Sequence, residues 1–155
     1  MSQSIDSKKY QLIIFDWFGT LGNNKTIFPG VLEMLSQLQG AQFLLAIASS
    51  MPNRTLSRLL EINLINHFFC HIQTDDLGYS KPEPEMLHMI LMATDVPATA
   101  TLMVGDSMAD IAMAKAAQID SIAVTPAQQS ELNAYGDMPL AFIKVITELP
   151  ALLKV

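Results

Sequence analysis

The sequence predicts an α/β fold in three layers, with helices on both faces of a mostly parallel sheet of about five strands. Three observations carry this. Apolar runs of strand length alternate with segments of helical spacing along most of the chain. The apolar runs are continuous, as in strands covered on both faces. Half of the residues are hydrophobic and the mean hydropathy is +0.31, yet no apolar run comes near the ~20 residues that a spanning helix needs.

Residues 11–16 (QLIIFD) read as a buried strand ending on a carboxylate. Val31, Leu32, Leu35 and Leu38 have helical spacing, and Pro29-Gly30 marks the start of their helix. Residues 43–48 form a second strand, closed by Ser49-Ser50. Residues 52–63 are helical, with Leu56, Leu59 and Leu60 on one face. Residues 70–73 make a short third strand and residues 84–93 a third helix. Residues 101–104 are a fourth strand, followed by Gly105-Asp106 and an Ala-rich helix over residues 108–118. Residues 121–124 are a fifth strand. The remainder is less regular, with an edge strand and turn within 140–146 and a helix over 147–153. No repeat, low-complexity tract or linker interrupts the chain, so residues 1–155 are expected to form one domain.

The formal net charge is -6 and the isoelectric point is about 4.8. Such a chain repels nucleic acid and anionic membrane, so neither is an expected partner. The polar start, MSQSIDSKKY, has no apolar signal core. Cys70 is the only cysteine, and its neighbours Phe68 and Phe69 predict an inert buried thiol. Together these suggest a reducing, cytoplasmic location.

Parallel sheets bind ligands beyond the carboxyl ends of their strands. Asp16, Ser49, Asp75, Asp76, Asp106 and Asp110 all fall there. In Asp16-Trp17-Phe18-Gly19-Thr20, a strand-end carboxylate meets a turn whose glycine lets backbone amides approach an anion. A strand-end Asp can equally be a turn former. Ser49 and Ser50 can offer a hydroxyl and amides to a phosphate, or cap the next helix. Lys81, between prolines in Ser80-Lys81-Pro82-Glu83-Pro84, can neutralise Asp16 and a phosphate oxygen; the alternative is a solvated loop lysine. Asp106 and Asp110 are four residues apart and can face one point. With Asp16 they suit Mg²⁺, or they merely complement a helix dipole. His67, His71 and His88 lack ligand spacing. The Met86–Met92 run reads as helix core, and Asp75-Asp76 as a turn.

These segments (FDWFGTL, LAIASSMP, SKPEP and VGDSMAD) occur in a fixed order over residues 10–125. In all of them the chain resembles the haloacid dehalogenase-like hydrolases, in particular their phosphoglycolate phosphatase-like branch. The resemblance implies a Rossmann-like core. It implies that Asp16 is the nucleophile that becomes an aspartyl phosphate, and that Ser49, Ser50, Gly19, Thr20 and Lys81 bind the phosphoryl group. It also implies Mg²⁺ held by Asp16, Asp106, Asp110 and the backbone carbonyl of Phe18, with a phosphorylated small molecule or macromolecule as substrate.

The chain departs from the family pattern at two places. The phosphatases carry a second Asp two residues after the nucleophile, which protonates the leaving group and then activates water; here it is Phe18. Slow turnover of ordinary phosphate esters is expected, since general acid–base catalysis supplies ~10²–10⁴-fold. Among relatives without that Asp, 2-haloacid dehalogenases carry Tyr and need no metal, phosphonoacetaldehyde hydrolases carry Ala, and P-type ATPases carry Thr. The second departure is spacing: only residues 22–28 separate the first motif from Pro29-Gly30, so no cap domain is expected. An open site admits large substrates, or a second subunit or protein partner as its lid. Trp17, Phe18, Ile27, Phe28, Met51 and Met108 are candidates for an apolar rim, or for ordinary packing under a flap. Three functions follow from the resemblance: a phosphatase-type hydrolase with weakened chemistry, a catalytically impaired phosphate- or partner-binding protein, and a dehalogenase.

Overall fold

The structure, a computed structural model, describes residues 5–125 and 138–155. The predicted alternation of strands and helices is present. In chain order the elements are β1 (Leu12–Phe15), α1 (Val31–Gly40), β2 (Leu44–Ser49), α2 (Asn53–Ile62), β3 (Phe69–Thr74), α3 (Glu85–Thr94), β4 (Thr101–Gly105), α4 (Met108–Ala116), β5 (Asp120–Val124), β6 (Ala141–Ile143) and α5 (Leu149–Leu153). Among the described residues the sheet has six strands in the order β3-β2-β1-β4-β5-β6, and every pairing is parallel. It is a Rossmann-like order, with the crevice where the order reverses beside β1. The strand beyond the predicted five is β6, within the region expected to hold an edge strand.

Strand alternation separates the core into two faces. Ile13, Phe15, Leu45, Ile47, Leu102 and Val104 point to one side, where α1, α2 and α5 pack. Leu12, Ile14, Ala46, Ala48 and Met103 point to the other, against α3 and α4. Successive side chains of a strand face opposite ways, so continuous apolar runs produce two apolar faces and three layers. Each fully buried large apolar side chain contributes about 1.5–3 kcal/mol, and all of β1 is buried. The central strand is thus the most firmly held platform for the residue that follows it.

Two expectations are corrected, for Cys70 and Met92, and for Trp17 the packing reading holds over the rim. Cys70 is exposed, because β3 is an edge strand. Trp17 is fully buried: its indole N–H donates to the Asn23 carbonyl (2.9 Å), turning the ring away from the cleft into the core. Met86 is core, but Met92 is 83% exposed on the outer face of α3. Residues 126–137 of the less regular remainder lie outside the described residues.

Among the described residues no extra helical unit follows β1 or β3. Residues 16–30 make a small flap, held by bridges from Gly22 to Phe18 and to Ile27. No helix of the described residues is long and apolar enough to cross a membrane.

Candidate active site

Asp16 follows the central strand, and its N–H donates to the Val104 carbonyl (3.0 Å). The β1–β4 ladder thereby runs one residue past β1 and aims the carboxylate out of the carboxyl edge of the sheet. Only 7% of Asp16 is exposed. Lys81, reaching in from the segment between β3 and α3, places Nζ 2.8 Å from Asp16 Oδ1 and 2.5 Å from Asp110 Oδ1. Asp16, Asp106 and Asp110 each offer an oxygen, and all these atoms lie within 4.8 Å of one another.

The electrostatics follow from this crowding. Burial, then the neighbouring charge of Asp110, push the Asp16 pKa up to about 8 against the pull of Lys81. Burial disfavours the charged form of Lys81, but Asp110 and Asp16 outweigh it and raise its pKa. The lysine therefore keeps its proton. Three carboxylates face one ammonium, a hard-oxygen donor set with surplus negative charge. That set fits a hard divalent cation.

Local sequence explains how α4 delivers its share. Ser107 Oγ accepts the Asp110 N–H, and Asp110 Oδ2 accepts the Ser107 N–H, both at 3.2 Å. This reciprocal cap satisfies two orphan donors of the helix and leaves Asp110 Oδ1 for Lys81. Sequence reasoning missed this use of Ser107, although Ser-x-x-Asp before an apolar run signals it. It also missed Gly105, where a Cβ would meet Asp110 Oδ2 at 2.4 Å.

Ser49, Ser50 and Lys81 come together with Asp16, Phe18 and Ser107 around an open cleft of about 480 Å³. Ser49 Oγ accepts the Met51 N–H (3.1 Å), which leaves its hydroxyl hydrogen to donate. It does not cap α2; Asp76 does, accepting the Asn53 N–H (3.1 Å). Asp75 shapes a turn, its carbonyl taking the Gly78 N–H.

Gly19 and Thr20 are placed differently. Their N–H groups donate within the flap, to the carbonyls of Gly22 (2.9 Å) and Trp17 (3.1 Å). Neither residue is among those lining the cleft. Instead they support Asp106: Thr20 Oγ1 donates to its Oδ1 (3.2 Å), and a Cβ on Gly19 would meet its Oδ2 at 2.1 Å. Gly19 also has φ +81°, in the left-handed region. Gly19→Ala should therefore lower unfolding stability by at least the ~1–2 kcal/mol of a left-handed non-glycine residue. A denaturant melt checks this; an unchanged midpoint would mean that the flap yields freely.

Of the six rim candidates, Phe18 alone projects strongly, with 56% of its surface exposed. Ile27, Phe28 and Met51 are half-buried against the main core, and Met108 packs near Ile111. No histidine lines the cleft.

Known proteins resemble this arrangement. The family described as haloacid dehalogenase-like hydrolase matches residues 6–124. Phosphoglycolate phosphatase of Colwellia psychrerythraea is 35% identical over 113 residues, covering 71% of this chain and 50% of that protein. Pyrophosphatase PpaX of Oceanobacillus iheyensis is 36% identical over 103 residues, covering 66% of this chain and 48% of that protein. The chain thus spans about half the length of these curated relatives. Among solved structures, magnesium-bound YfnB of Bacillus subtilis is 26% identical with a TM-score of 0.68, covering 83% of this chain and 56% of that one. CbbY of Rhodobacter sphaeroides, in complex with phosphate, has a TM-score of 0.77 at 15% identity, covering 94% of this chain and all (100%) of that one; it supports the fold alone. With the fold, the ordered motifs and the matched span in agreement, this chain belongs to the haloacid dehalogenase-like hydrolases.

Proposed function

We propose that the protein is a Mg²⁺-dependent phosphoryl-transfer hydrolase that works through an aspartyl phosphate on Asp16 and turns over ordinary phosphate esters slowly. The observation that carries this reading is the buried Asp16 carboxylate, held by Lys81 beside Asp106 and Asp110 at the reversal point of the sheet. The phosphatase names of the curated relatives and the magnesium of YfnB support it.

In this reading Asp16 attacks the phosphorus. Lys81 and the hydroxyls of Ser49 and Ser50 hold the phosphoryl oxygens, and Lys81 also balances Asp110. Gly19 and Thr20 keep Asp106 in place. Asp16, Asp106, Asp110 and the Phe18 carbonyl would hold Mg²⁺, which when bound offsets the charge of the phosphoryl group. Phe18 cannot protonate a leaving group, so substrates with good leaving groups, acyl and aryl phosphates, are favoured. The cleft is open enough for a small molecule or a macromolecule, and a partner or second copy can act as its lid. The single cysteine and acidic composition favour the cytoplasm.

The test is hydrolysis of acetyl phosphate with and without Mg²⁺. Turnover that requires Mg²⁺, and that Phe18→Asp raises and extends to alkyl phosphates, is the expected result. No turnover by wild type or by Phe18→Asp with excess Mg²⁺ overturns it. The exposed Phe18 ring favours a second reading, a phosphate- or partner-binding protein that retains the metal site; phosphate binding without turnover in either protein would select it. A dehalogenase would release chloride from a 2-haloacid without Mg²⁺, which the three-carboxylate cluster argues against.

A further inference from the structure

We propose that the protein retains its aspartyl phosphate as its resting form, because Phe18 stalls the second half of the reaction and leaves the first half open. The inference rests on the reading of Asp16 as nucleophile, and adds to it which step is slow and which species accumulates.

The two half-reactions make different demands. In the first, a lone pair of the Asp16 carboxylate forms the bond to phosphorus. The bond to the leaving oxygen breaks, and its electron pair departs with that oxygen. Acetate or a phenolate leaves without needing a proton. In the second, water forms the bond to phosphorus and must give up a proton. The bond from phosphorus to Asp16 breaks and its electron pair returns to the carboxylate. A good leaving group removes the need for an acid in the first step. No choice of substrate removes the need for a base in the second.

Among the described residues, the cleft has no acidic or basic side chain outside the Asp16, Lys81, Asp106 and Asp110 cluster. Asp16 is itself the phosphorylated group. Lys81 is bonded to both Asp16 and Asp110. Asp110 spends one oxygen on Lys81 and the other on the Ser107 N–H. Asp106 accepts from Thr20 and belongs to the acidic cluster. The hydroxyls of Ser49, Ser50 and Ser107 are too weakly basic, and no histidine lines the cleft. The side chain that overlooks the opening, Phe18, is exposed and has no proton acceptor.

The full chain is mixed with acetyl phosphate and Mg²⁺, quenched, and weighed intact, while phosphate release is followed in parallel. Wild type should carry one hydroxylamine-labile phosphoryl group on most chains. Its steady turnover should lie ~10²–10⁴-fold below that of Phe18→Asp. Phe18→Asp should form the adduct equally fast and carry little of it. Phe18→Asn, of similar size but without a base, should remain phosphorylated; Phe18 is exposed, so both variants should fold. Wild type that releases phosphate as fast as Phe18→Asp, or Phe18→Asn that clears as fast as Phe18→Asp, overturns the inference. A wild type that is never phosphorylated, beside a Phe18→Asp that turns over, also overturns it, by placing the block in the first step; Asp16 as nucleophile survives that result. No adduct and no turnover in any of the three proteins would take the nucleophile reading down as well.

Discussion

Asp16→Asn should abolish phosphoryl transfer and, in the metal-free protein, raise stability near neutral pH. The chemical half is direct: an amide has no carboxylate lone pair to attack phosphorus, so neither adduct nor released phosphate should form. The stability half follows from crowding. Asp16 is buried beside Asp110, and its pKa is raised to about 8 from the usual carboxylate range. Between about pH 4 and 8 the folded protein therefore binds more protons than the unfolded chain. Stability is fully present below the unfolded pKa and falls as pH rises through the folded one, by at most ~1.4 kcal/mol per pH unit. Asn carries no such charge, so the fall should largely vanish, while its carbonyl still accepts from Lys81. Mg²⁺ favours the ionised carboxylate and should flatten the wild-type curve from the other side. Denaturant melts at several pH values, with and without Mg²⁺, read all of this. A metal-free wild type whose stability rises from pH 5 to 8 would contradict the account.

Lys81→Met should cost about 3–5 kcal/mol in the metal-free protein, the usual effect of removing one partner of a buried ion pair. The ammonium is nearly buried, and so are both carboxylates it touches. Met fills much of the same volume, so the loss is electrostatic. It leaves Asp16 and Asp110 facing each other, with Asp106 close by. A divalent cation becomes the remaining means of neutralising them. Added Mg²⁺ should therefore raise the melting temperature of Lys81→Met by more than that of wild type. A loss below ~1 kcal/mol, the level of an exposed pair, would mean that the lysine is solvated and the cluster looser than described.

The sequence was most legible where one physical rule acts alone. Continuous apolar runs ending on polar residues revealed β1, β2, β4 and β5, and with them the positions of Asp16, Ser49 and Asp106. Lys81 and Asp110 were named without their geometry, since nothing in the spacing says that one ammonium bridges Asp16 and Asp110. The reading was open or wrong where neighbours in sequence part company in space. Trp17 sits between Asp16 and Phe18, yet its ring enters the core because Asn23 offers its carbonyl from behind. Cys70 follows two phenylalanines but lies on a strand with only one neighbour. Gly19 and Thr20 carry the look of an anion loop, whereas their amides are spent inside the flap. β6 was expected only as an edge strand somewhere within 140–146, because its three residues are too short to show a period.

The strand order also sets a timetable for synthesis. β1 pairs with β2 on one side, through residues soon available, but its other neighbour is β4, from Thr101–Gly105. Until the ribosome has released that stretch, β1 is an open edge, with Asp16 at its tip and no ladder to hold it. Asp106 and Asp110 emerge later still. The nascent chain therefore exposes an uncharged, apolar strand edge from the synthesis of β1 until the release of β4, a state prone to mispairing. Slow non-local closure of the sheet, more than the strength of the finished core, is where a holding chaperone would have most effect.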